Sequence, residues 1–550
     1  MSKTTSSETA TVPATPPATP PATFPAIVPG VVPGSHAASF PGFIEQLDAH
    51  IANQPSAIAL VDGDQTITWG QFGARVRAVA ARLHAAGLGR GDRVAVMAHS
   101  CPAYLELFVG TLRLGGCIVP LPMMASADAV AGMLKDSGAR VVLASKAAFE
   151  LLGDGFLNLP SIPAGNLLSL DFQADGWRDY QDWLAQAPDQ PPALQPHPGD
   201  GFNLIYSSGT TGTPKGILQD HAMRSFQIDR LGKFGFSPSS RTLVATPLYS
   251  NTTLVSVIPT LAKGGRLVLM RKFTPGQLCH LVAREQVTHV MLVPVQYERL
   301  LACDSLNRTD LSSLQVKFCT SAILRPEVIK AAVKRIPGKL ILLYGMTEGG
   351  LSTTLDADAH PDKHHTVGLP AADADLRILD DQDRDLPPGQ VGEIVGRSPA
   401  MMQGYWRRGD LTRDLLWVDE QGRQFIRTGD LGCLDDDGFL LLKGRKKDMV
   451  ISGGFNIYAA DLEQALCGHA AVQEAAVIAI PSETWGETPL GLVVVKPGCQ
   501  VDPEEIRRAA NAKLGKLQRL SAVEIRPFLP RSSIGKVLKR TLAAPYWQDR

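Results

Sequence analysis

Apolar residues recur along the chain in two alternating patterns, which predict helices and buried strands in turn. The segment TWGQFGARVRAVAARLHAAG, from Thr68, has apolar residues at helical spacing and ends at a glycine, as an amphipathic helix does. Short apolar runs stand between such segments, at RVAVMA (93–98), FNLIY (202–206), GRLVLM (265–270), THVMLVP (288–294) and KLILLYG (339–345). Apolar strands separated by helices of this length predict parallel sheets that are covered by helices on both faces.

The pattern changes near Ala374, where strand-like runs alternate with turn-rich loops instead of helices, which predicts a β-rich subdomain from about residue 372. After the basic cluster RKKD, helical and strand patterns sufficient for an independent domain of about 100 residues follow. The expected fold is therefore α/β. A large N-terminal domain of helix-covered sheets occupies 37–444 and includes the β-rich subdomain, while a small mobile α+β C-terminal domain occupies 445–550, with a hinge at 445–448.

Composition excludes several classes of partner. The 550 residues carry 54 Lys and Arg against 54 Asp and Glu, so net charge gives no reason to expect nucleic acid. No apolar run is long enough for a transmembrane segment, since the best candidate, from Leu254, is broken by Pro259 and Lys263. The eight cysteines are scattered without a CxxC pair, which argues against a zinc site or a disulfide framework and fits a reducing compartment.

The first 36 residues differ in kind from the rest. Eight are proline, interleaved with Ala and Thr, and only Lys3 and Glu8 are charged. Such a segment buries too little apolar surface to offset its ordering entropy, so a disordered tail is predicted over 1–36. It has neither the basic start and apolar stretch of a secretory signal nor the arginines of a mitochondrial presequence, and a cytoplasmic location is therefore expected.

The stretch YSSGTTGTPKG, from Tyr206, concentrates hydroxyl groups, glycines and a lysine, and it suits neither a helix nor a strand. A glycine-rich loop after an apolar strand fits an anion, because bare backbone N–H groups can converge on phosphate oxygens. The spacing is not that of the P-loop: two residues separate Gly209 from Gly212, and Lys215 is followed by Gly216. A polar surface turn is the weaker alternative for a stretch of this length.

Four further motifs follow in order, YGMTE (344–348), RTGDLG (427–432), GRKKDMVISGGFNI (444–457) and PRSSIGKVLKR (530–540). Together the five resemble the acyl-adenylate-forming superfamily, of the acyl-CoA and aryl-CoA ligase type, over roughly residues 39–540. That resemblance implies two half-reactions. A carboxylate attacks the α-phosphate of ATP to give an acyl-adenylate and pyrophosphate, and the thiol of coenzyme A (CoA) then displaces AMP. Cations and oriented N–H groups must offset the approach of one anion to another.

The resemblance also assigns the nucleotide contacts. The β- and γ-phosphates would be wrapped by Ser208, Gly209, Thr210, Thr211, Gly212, Thr213 and Lys215. In the second motif, Tyr344 would pack against adenine beside Gly345 and Met346, Thr347 would contact the α-phosphate, and Glu348 would hold Mg²⁺, a hard cation that takes one carboxylate at a triphosphate. Asp430 would accept both ribose hydroxyls, with a further contact from Arg445. The alternatives are a helix cap for Thr347 and Glu348, and a turn for Asp430.

The C-terminal motifs carry the step from one half-reaction to the next. By resemblance, Lys536 bridges the substrate carboxylate and the α-phosphate, a role that suits a flexible point charge. The domain would then rotate about Lys447 and bring Ser452, Gly453 and Gly454 to the adenylate, where they would line a channel for the pantetheine of CoA.

Two segments depart from the family pattern. TSAIL (320–324) replaces a Gly-Gly-Ala-Pro-like stretch, so Ser321 and Ala322 are approximate adenine contacts. PLYSNTT (247–253) has Ser250 where many members have an aromatic residue or histidine, and its Tyr249, Ser250, Asn251 and Thr252 are the predicted acyl pocket. The alternative is that NTT starts a helix with Asn251 as its N-cap.

The acyl substrate is predicted from the same segment. No aspartate stands between Arg241 and Ala302 to pair with an ammonium group, which argues against an amino acid substrate. Neutral hydrogen-bonding groups beside apolar ones favour an aromatic acid with a polar substituent or a medium-length acyl chain.

The predicted function is thus an AMP-forming acid–CoA ligase that uses ATP, Mg²⁺ and CoA. Its expected partners are small molecules, with a homodimer left open. The main alternative is a stand-alone adenylation enzyme that loads an acyl carrier protein. An inactive member that acts as a scaffold, and a luciferase-like oxygenase that shares the first half-reaction, are the others.

Overall fold

The computed structural model describes residues 41–156, 162–163, 165–188, 194–207, 214–453, 455–515, 518–532 and 535–547. The tail predicted over 1–36 lies outside these residues. Within the described ranges, no helix is long and apolar enough to cross a membrane.

The α-helices of the described chain are, in order, α1 Phe43–Asn53, α2 Trp69–Ala85, α3 Pro102–Arg113, α4 Ala127–Ser137, α5 Lys146–Leu152, α6 Tyr180–Ala185, α7 His221–Gly232, α8 Asn251–Ala262, α9 Pro275–Glu285, α10 Pro294–Leu301, α11 Pro326–Arg335, α12 Gly409–Leu415, α13 Ala459–Cys467, α14 Pro503–Asn511 and α15 Lys539–Ala543. Helix α2 matches the first segment predicted from periodicity, and it begins where the Thr68 hydroxyl accepts a hydrogen bond from the Gln71 N–H.

The β-strands of the described chain are β1 Ile58–Asp62, β2 Gln65–Thr68, β3 Arg93–Met97, β4 Cys117–Pro120, β5 Val141–Ala144, β6 Leu167–Ser169, β7 Arg178–Asp179, β8 Gly201–Ser207, β9 Lys215–Asp220, β10 Arg241–Val244, β11 Arg266–Leu269, β12 His289–Leu292, β13 Val316–Cys319, β14 Lys339–Gly345, β15 Ser352–Asp356, β16 Leu369–Pro370, β17 Asp375–Leu379, β18 Gly392–Arg397, β19 Gly404–Tyr405, β20 Leu416–Val418, β21 Gln424–Leu434, β22 Leu440–Arg445, β23 Val450–Ser452, β24 Phe455–Ile457, β25 Val472–Ser482, β26 Gly486–Val495 and β27 Ala522–Ile525.

Two large sheets form the first part of the structure. One has the strand order β16-β15-β14-β13-β12-β10-β11-β1-β2, and the other β19-β9-β8-β4-β3-β5-β6-β7. Their central strands are parallel, which confirms the predicted α/β class. Antiparallel strands stand at three of the four edges: β2, and β15 with β16, in the first sheet, and β9 with β19 in the second, whose other edge strand, β7, is parallel to β6. Strand β9 thus pairs back onto β8, a connection that the parallel prediction missed.

Burial on both faces of each sheet explains why the strands read as continuous apolar runs. In β3, Val94 and Val96 pack into a core shared with α1, α2, α3 and α8, while Ala95 and Met97 face a second core with α4. In β11, Leu267 and Leu269 face the shared core, and Val268 faces a third core with α9. The shared core therefore lies between the two sheets, and alternate strand residues point into different cores.

Two smaller sheets follow. The third is antiparallel, in the order β17-β18-β21-β20 with β22 paired to β21, in the segment predicted to be β-rich. The fourth has the order β24-β23-β26-β25, with β27 parallel to β26, and packs against α13 and α14 through a core of its own. A boundary near residue 444 stays a prediction, and the fourth sheet begins a few residues later, at Val450.

Candidate active site

The predicted phosphate loop connects two antiparallel strands. Tyr206 and Ser207 end β8, and Lys215 and Gly216 begin β9, so both ends of YSSGTTGTPKG are strand and the expectation that no strand would form there was wrong. The loop residues Ser208, Gly209, Thr210, Thr211, Gly212 and Thr213 lie outside the described residues. Lys215 stands at the near end of β9, with its ammonium 5.2 Å from the centre of the Tyr405 ring.

Glu348 and Tyr405 form the next part of the site. The Tyr405 hydroxyl donates a hydrogen bond to Glu348 Oε1 at 2.8 Å, and the Glu348 side chain is buried. Burial raises the pKa of Tyr405, and the Glu348 carboxylate raises it further, so the phenol keeps its proton and remains a donor. Tyr405 reaches this position because β19 pairs with β9, next to the predicted phosphate loop.

The backbone around Thr347 is held from two sides. Gln219 Nε2 donates to the Thr347 carbonyl at 2.6 Å, and the Met402 N–H donates to the Glu348 carbonyl at 2.9 Å. Gly349 follows with φ +77°, and a Cβ there would lie 2.0 Å from the Ala400 carbonyl oxygen, so the turn requires glycine. No helix begins here, since the next element is β15, and the helix-cap interpretation of Thr347 and Glu348 is excluded.

A second cluster gathers around Asp430. This residue lies inside β21, not in a turn, and it faces Arg445 in β22 with 3.0 Å between Arg445 Nε and Asp430 Oδ1. The Tyr344 hydroxyl, at the end of β14, donates to Asp430 Oδ2 at 2.8 Å. Burial, followed by the Asp430 charge, raises the pKa of Tyr344. Beyond Tyr344, Gly345 and Met346 lead directly to Thr347 and Glu348, so one short turn joins the two clusters.

Lys536 reaches the same cluster from the C-terminal part of the chain. Its backbone is fixed in a tight loop, in which the Lys536 N–H donates to Ser532 Oγ at 3.1 Å and the Ser532 N–H donates to the Lys536 carbonyl at 2.7 Å. The loop packs against the large domain, since a Cβ on Gly535 would lie 3.1 Å from Val295 Cγ1. Although the side chain is exposed, protein around the ammonium lowers the pKa of Lys536 through desolvation. The Arg445 cation lowers it further, while Asp430 opposes the shift.

The predicted hinge and channel residues lie in and around β23, and the Lys447 cation also lowers the pKa of Lys536. Lys447 is part of a single 3₁₀ turn, and its pKa is lowered by burial and by Arg445. Ser452 ends β23 and pairs with Phe455 and Gly486, while the Gly453 N–H donates to the Trp485 carbonyl at 2.9 Å. Gly454 lies outside the described residues.

The predicted acyl segment leads into α8. Tyr249, Ser250 and Thr252 are buried, and Asn251 is half-buried. The helix interpretation of NTT was right, but the N-cap is Ser250, and Asn251 is the first helical residue. A 2.7 Å hydrogen bond joins the hydroxyls of Thr252 and Ser321, which brings the start of α8 to the predicted adenine-flanking segment.

The TSAIL segment keeps a glycine-like backbone without glycine. Ser321 has φ +81°, in the left-handed region where a glycine-rich stretch would be unstrained, and Ala322 beside it is exposed. The sequence departs from the family pattern here, but the backbone conformation that glycine favours is present.

Two polar side chains in the site, Tyr405 and Gln219, were not found by sequence reasoning. Tyr405 is 57 residues from Glu348 in the chain and Gln219 is 128 residues from Thr347, so no local spacing could have indicated either pair. A cavity of about 670 Å³ lies elsewhere, between the β1–β2 hairpin and the starts of α3 and α5, and none of the predicted site residues lines it.

Comparison with known proteins gives the same assignment along nearly the whole chain. The family model for the AMP-binding enzyme matches residues 47–406, and that for the AMP-binding enzyme C-terminal domain matches residues 461–536. A feruloyl-CoA synthase from an Amycolatopsis species is 33% identical over 488 residues, which cover 88% of this chain and 95% of the relative. The fatty acid–[acyl-carrier-protein] ligase ScoC from Streptomyces coeruleorubidus is 28% identical over 528 residues, which cover 94% of this chain and 98% of that relative. The structure of ATP-bound MatB from Rhodopseudomonas palustris has a TM-score of 0.83 at 27% identity and covers 92% of this chain and 99% of its own.

The family match and the fold together show an adenylate-forming enzyme. The chain belongs to the AMP-binding enzyme family, which confirms the resemblance found in its five motifs. The predicted enzyme class, an AMP-forming acid–CoA ligase that uses ATP and CoA, is confirmed by the family match together with the similarity to the feruloyl-CoA synthase.

Proposed function

We propose that the enzyme activates an aromatic carboxylic acid with a neutral polar substituent, or a medium-length acyl acid, and transfers the acyl group to CoA. One observation carries the assignment of the catalytic centre. Residues from three distant parts of the chain, Tyr344, Asp430 and Lys536, lie together, with Arg445 paired to Asp430. A carboxylate to hold a ribose and an ammonium to offset phosphate charge are the groups that adenylation needs.

In the first half-reaction, Asp430 accepts hydrogen bonds from the ribose hydroxyls, and Arg445 holds this carboxylate in its orientation. The Lys536 ammonium lies between the substrate carboxylate and the α-phosphate as the new bond forms. Thr347, whose carbonyl is anchored by Gln219, presents its hydroxyl to the α-phosphate. The loop 208–213, with Lys215, holds the β- and γ-phosphates.

Glu348 is the residue proposed to hold Mg²⁺. It fits the ion because Tyr405 occupies only Oε1, and no other hydrogen bond to this carboxylate is formed within the described part of the chain. Mg²⁺ takes one or two carboxylates and the substrate phosphates. When bound, it supplies positive charge to the triphosphate, and Glu348 and Tyr405 position it.

In the second half-reaction, the C-terminal domain turns at Lys447, so that Ser452, Gly453 and Gly454 line the path of pantetheine. Three exposed apolar side chains support this movement: Ile451 in β23, Phe455 in β24 and Trp485 just before β26 expose 51%, 51% and 58% of their surface. Exposed apolar side chains gain free energy if a second orientation covers them.

The acyl substrate class is supported by Ser250, Thr252 and Ser321, which supply neutral hydroxyls, and by the feruloyl-CoA synthase, whose name indicates an aryl acid. ScoC is named for a carrier protein as acceptor, and this makes the carrier protein the second candidate.

We also propose a cytoplasmic location, since the eight cysteines form no disulfide. A homodimer stays a prediction, which sedimentation measurements would test.

The test is a panel of aryl and alkyl carboxylic acids, each measured for AMP formation with CoA, with acyl carrier protein and with neither. Thioester formation with CoA is expected for at least one acid of the proposed class. Thioester formation only with the carrier protein would change the acceptor. If no acid supports AMP formation, the proposed function is wrong.

A further inference from the structure

A fully buried arginine lies beside the predicted acyl pocket, and its partners are neutral. Arg224, on α7, has no exposed surface. Among the described residues, its guanidinium donates only to carboxamide oxygens: Nη1 to Gln227 Oε1 at 2.7 Å, Nη2 to Asn251 Oδ1 at 3.0 Å, Nη2 also to Gln219 Oε1, and both Nε and Nη2 to Asn203 Oδ1. Among the described residues, no carboxylate pairs with it.

Such a cation is expensive to bury. Isolated charges are normally paired when they leave water, and here desolvation lowers the pKa of Arg224 to about 9. The amide dipoles of Asn203, Gln219, Gln227 and Asn251 supply the compensation that a carboxylate would otherwise give. The arrangement therefore holds each of these amides with its oxygen toward Arg224.

This constraint fixes where the amide nitrogens point, because arginine can only donate hydrogen bonds. Asn203 Nδ2 donates to Gln219 Oε1 at 2.8 Å, and Gln219 Nε2 donates to the Thr347 carbonyl at 2.6 Å. Gln227 Nε2 and Asn251 Nδ2 are the exceptions, since neither forms a hydrogen bond with any residue that the structure describes. Both residues are half-buried, and the Asn251 amide oxygen faces Arg224, so its Nδ2 group points away from the guanidinium.

Asn251 lies close to two predicted nucleotide-binding segments. The next residue, Thr252, is hydrogen-bonded to Ser321 in the predicted adenine-flanking segment. The amide network around Arg224 also reaches the turn after β14, where Gln219 donates to the Thr347 carbonyl. Asn251 is also the first residue of a twelve-residue helix, whose N-terminus carries partial positive charge. A buried cation and a helix N-terminus together make this corner attractive to an oxygen acceptor and repulsive to an ammonium group.

We propose that Arg224 is a positioning residue that aims the Asn251 Nδ2 donor at the bound acyl group, and that the enzyme thereby selects carboxylic acids that carry an oxygen acceptor on the acyl group. The inference rests on the proposed function and narrows its substrate class. Ether, hydroxyl and carbonyl oxygens are accepted, and acyl groups with an ammonium at this position are rejected.

The test compares matched acids that differ by one oxygen. The pairs are cinnamate with 4-methoxycinnamate, and octanoate with 8-hydroxyoctanoate, and the readout is kcat/KM for pyrophosphate release. The wild-type enzyme is expected to prefer the oxygen-bearing acid of at least one pair by about 10-fold or more. Asn251→Leu replaces the donor with an apolar side chain of similar size, and Arg224→Met removes the guanidinium that holds the Asn251 amide. Both should abolish that preference, because KM for the oxygen-bearing acid should rise about 10- to 100-fold more than KM for the other acid of the same pair.

Two further variants separate positioning from folding. Arg224→Lys keeps the charge and should retain part of the preference. Gln227→Leu removes an Arg224 partner that touches neither Asn251 nor Thr347, and it should leave the preference unchanged. Equal losses for both acids of a pair in Asn251→Leu, or a wild-type enzyme without preference, would overturn this inference while the proposed function stands. A wild-type enzyme that forms AMP with none of a wide acid panel would overturn both.

Discussion

Asp430 and Arg445 face each other across β21 and β22, with 3.0 Å between Arg445 Nε and Asp430 Oδ1, and Tyr344 donates to the other carboxylate oxygen. A charged acceptor held on both sides keeps its orientation when a ribose arrives. Charge-assisted hydrogen bonds contribute about 1.5–3 kcal/mol each. Asp430→Asn is therefore expected to raise KM for ATP by about 10- to 100-fold.

The ribose contact itself is checked with 2′-deoxy-ATP. The wild-type enzyme should lose affinity when the hydroxyl is absent, whereas Asp430→Asn should respond much less, because the contact is already missing. An equal response in the two enzymes would show that Asp430 does not hold the ribose.

Glu348 and Tyr405 give a prediction about metal dependence. Glu348→Gln replaces a charged oxygen with a neutral one, and a hard divalent cation binds the neutral oxygen less well, so half-maximal adenylation should need about 10-fold more Mg²⁺. Tyr405→Phe keeps the carboxylate and should have a smaller effect. Mg²⁺ titrations of pyrophosphate release measure both, and an unchanged requirement in Glu348→Gln would remove this residue from the metal site.

Gly349 tests how closely the turn that carries Thr347 and Glu348 packs against Ala400. Gly349→Ala places a Cβ 2.0 Å from the Ala400 carbonyl oxygen at φ +77°, which must displace the neighbouring Glu348. Because displacements of about 1 Å can cost about 100-fold in rate, kcat/KM for adenylation should fall by about that factor. Gly389→Ala is the matched control, since it has φ +83° but no atom within 4 Å of the added carbon. Similar losses in both variants would mean that backbone strain alone is responsible.

The alkaline limb of the pH profile should report Lys536. Its ammonium is proposed to act in adenylation, and desolvation together with Arg445 lowers its pKa, so adenylation should decline as pH rises through a value below the ordinary lysine pKa of about 10.4. Lys536→Arg stays charged over this pH range, so its adenylation rate should not decline at high pH, even if that rate is lower than in the wild type. Pyrophosphate release measured from pH 6 to 11 tests this. A limb that persists unchanged in Lys536→Arg belongs to another group.

The fold class followed from the sequence because strands buried on both faces, such as β3, leave unbroken apolar runs between helices. The antiparallel edges did not follow. Strand β9 begins inside a glycine-rich motif whose composition indicates a loop, and that composition does not specify that β9 pairs antiparallel with β8. β21 was hidden for a similar reason, since Gly429 and Asp430 are poor strand formers placed within eleven strand residues.

The site residues divide in the same way. Motif residues such as Tyr344, Asp430 and Lys536 were found because each lies in a recognisable stretch. Tyr405 and Arg224 were not, because their importance comes from tertiary partners. Arg224 looks like the polar face of a helix, and only the structure shows that α7 turns it into the interior. Burial of a charged residue is a tertiary property that local sequence does not encode.

The most direct test of the central claim is Lys536→Ala measured in the two half-reactions separately. Pyrophosphate release from ATP and the acid should fall by about 100-fold or more, since a cation aimed at the developing charge is lost. Thioester formation from CoA and a synthetic acyl-adenylate should stay within about 3-fold of wild type, because the proposed domain rotation would move Lys536 away before that step. Lys539→Ala, which removes a lysine paired with Glu463 inside the C-terminal domain, is the control and should leave both steps unchanged. Equal losses in the two half-reactions of Lys536→Ala would contradict the account.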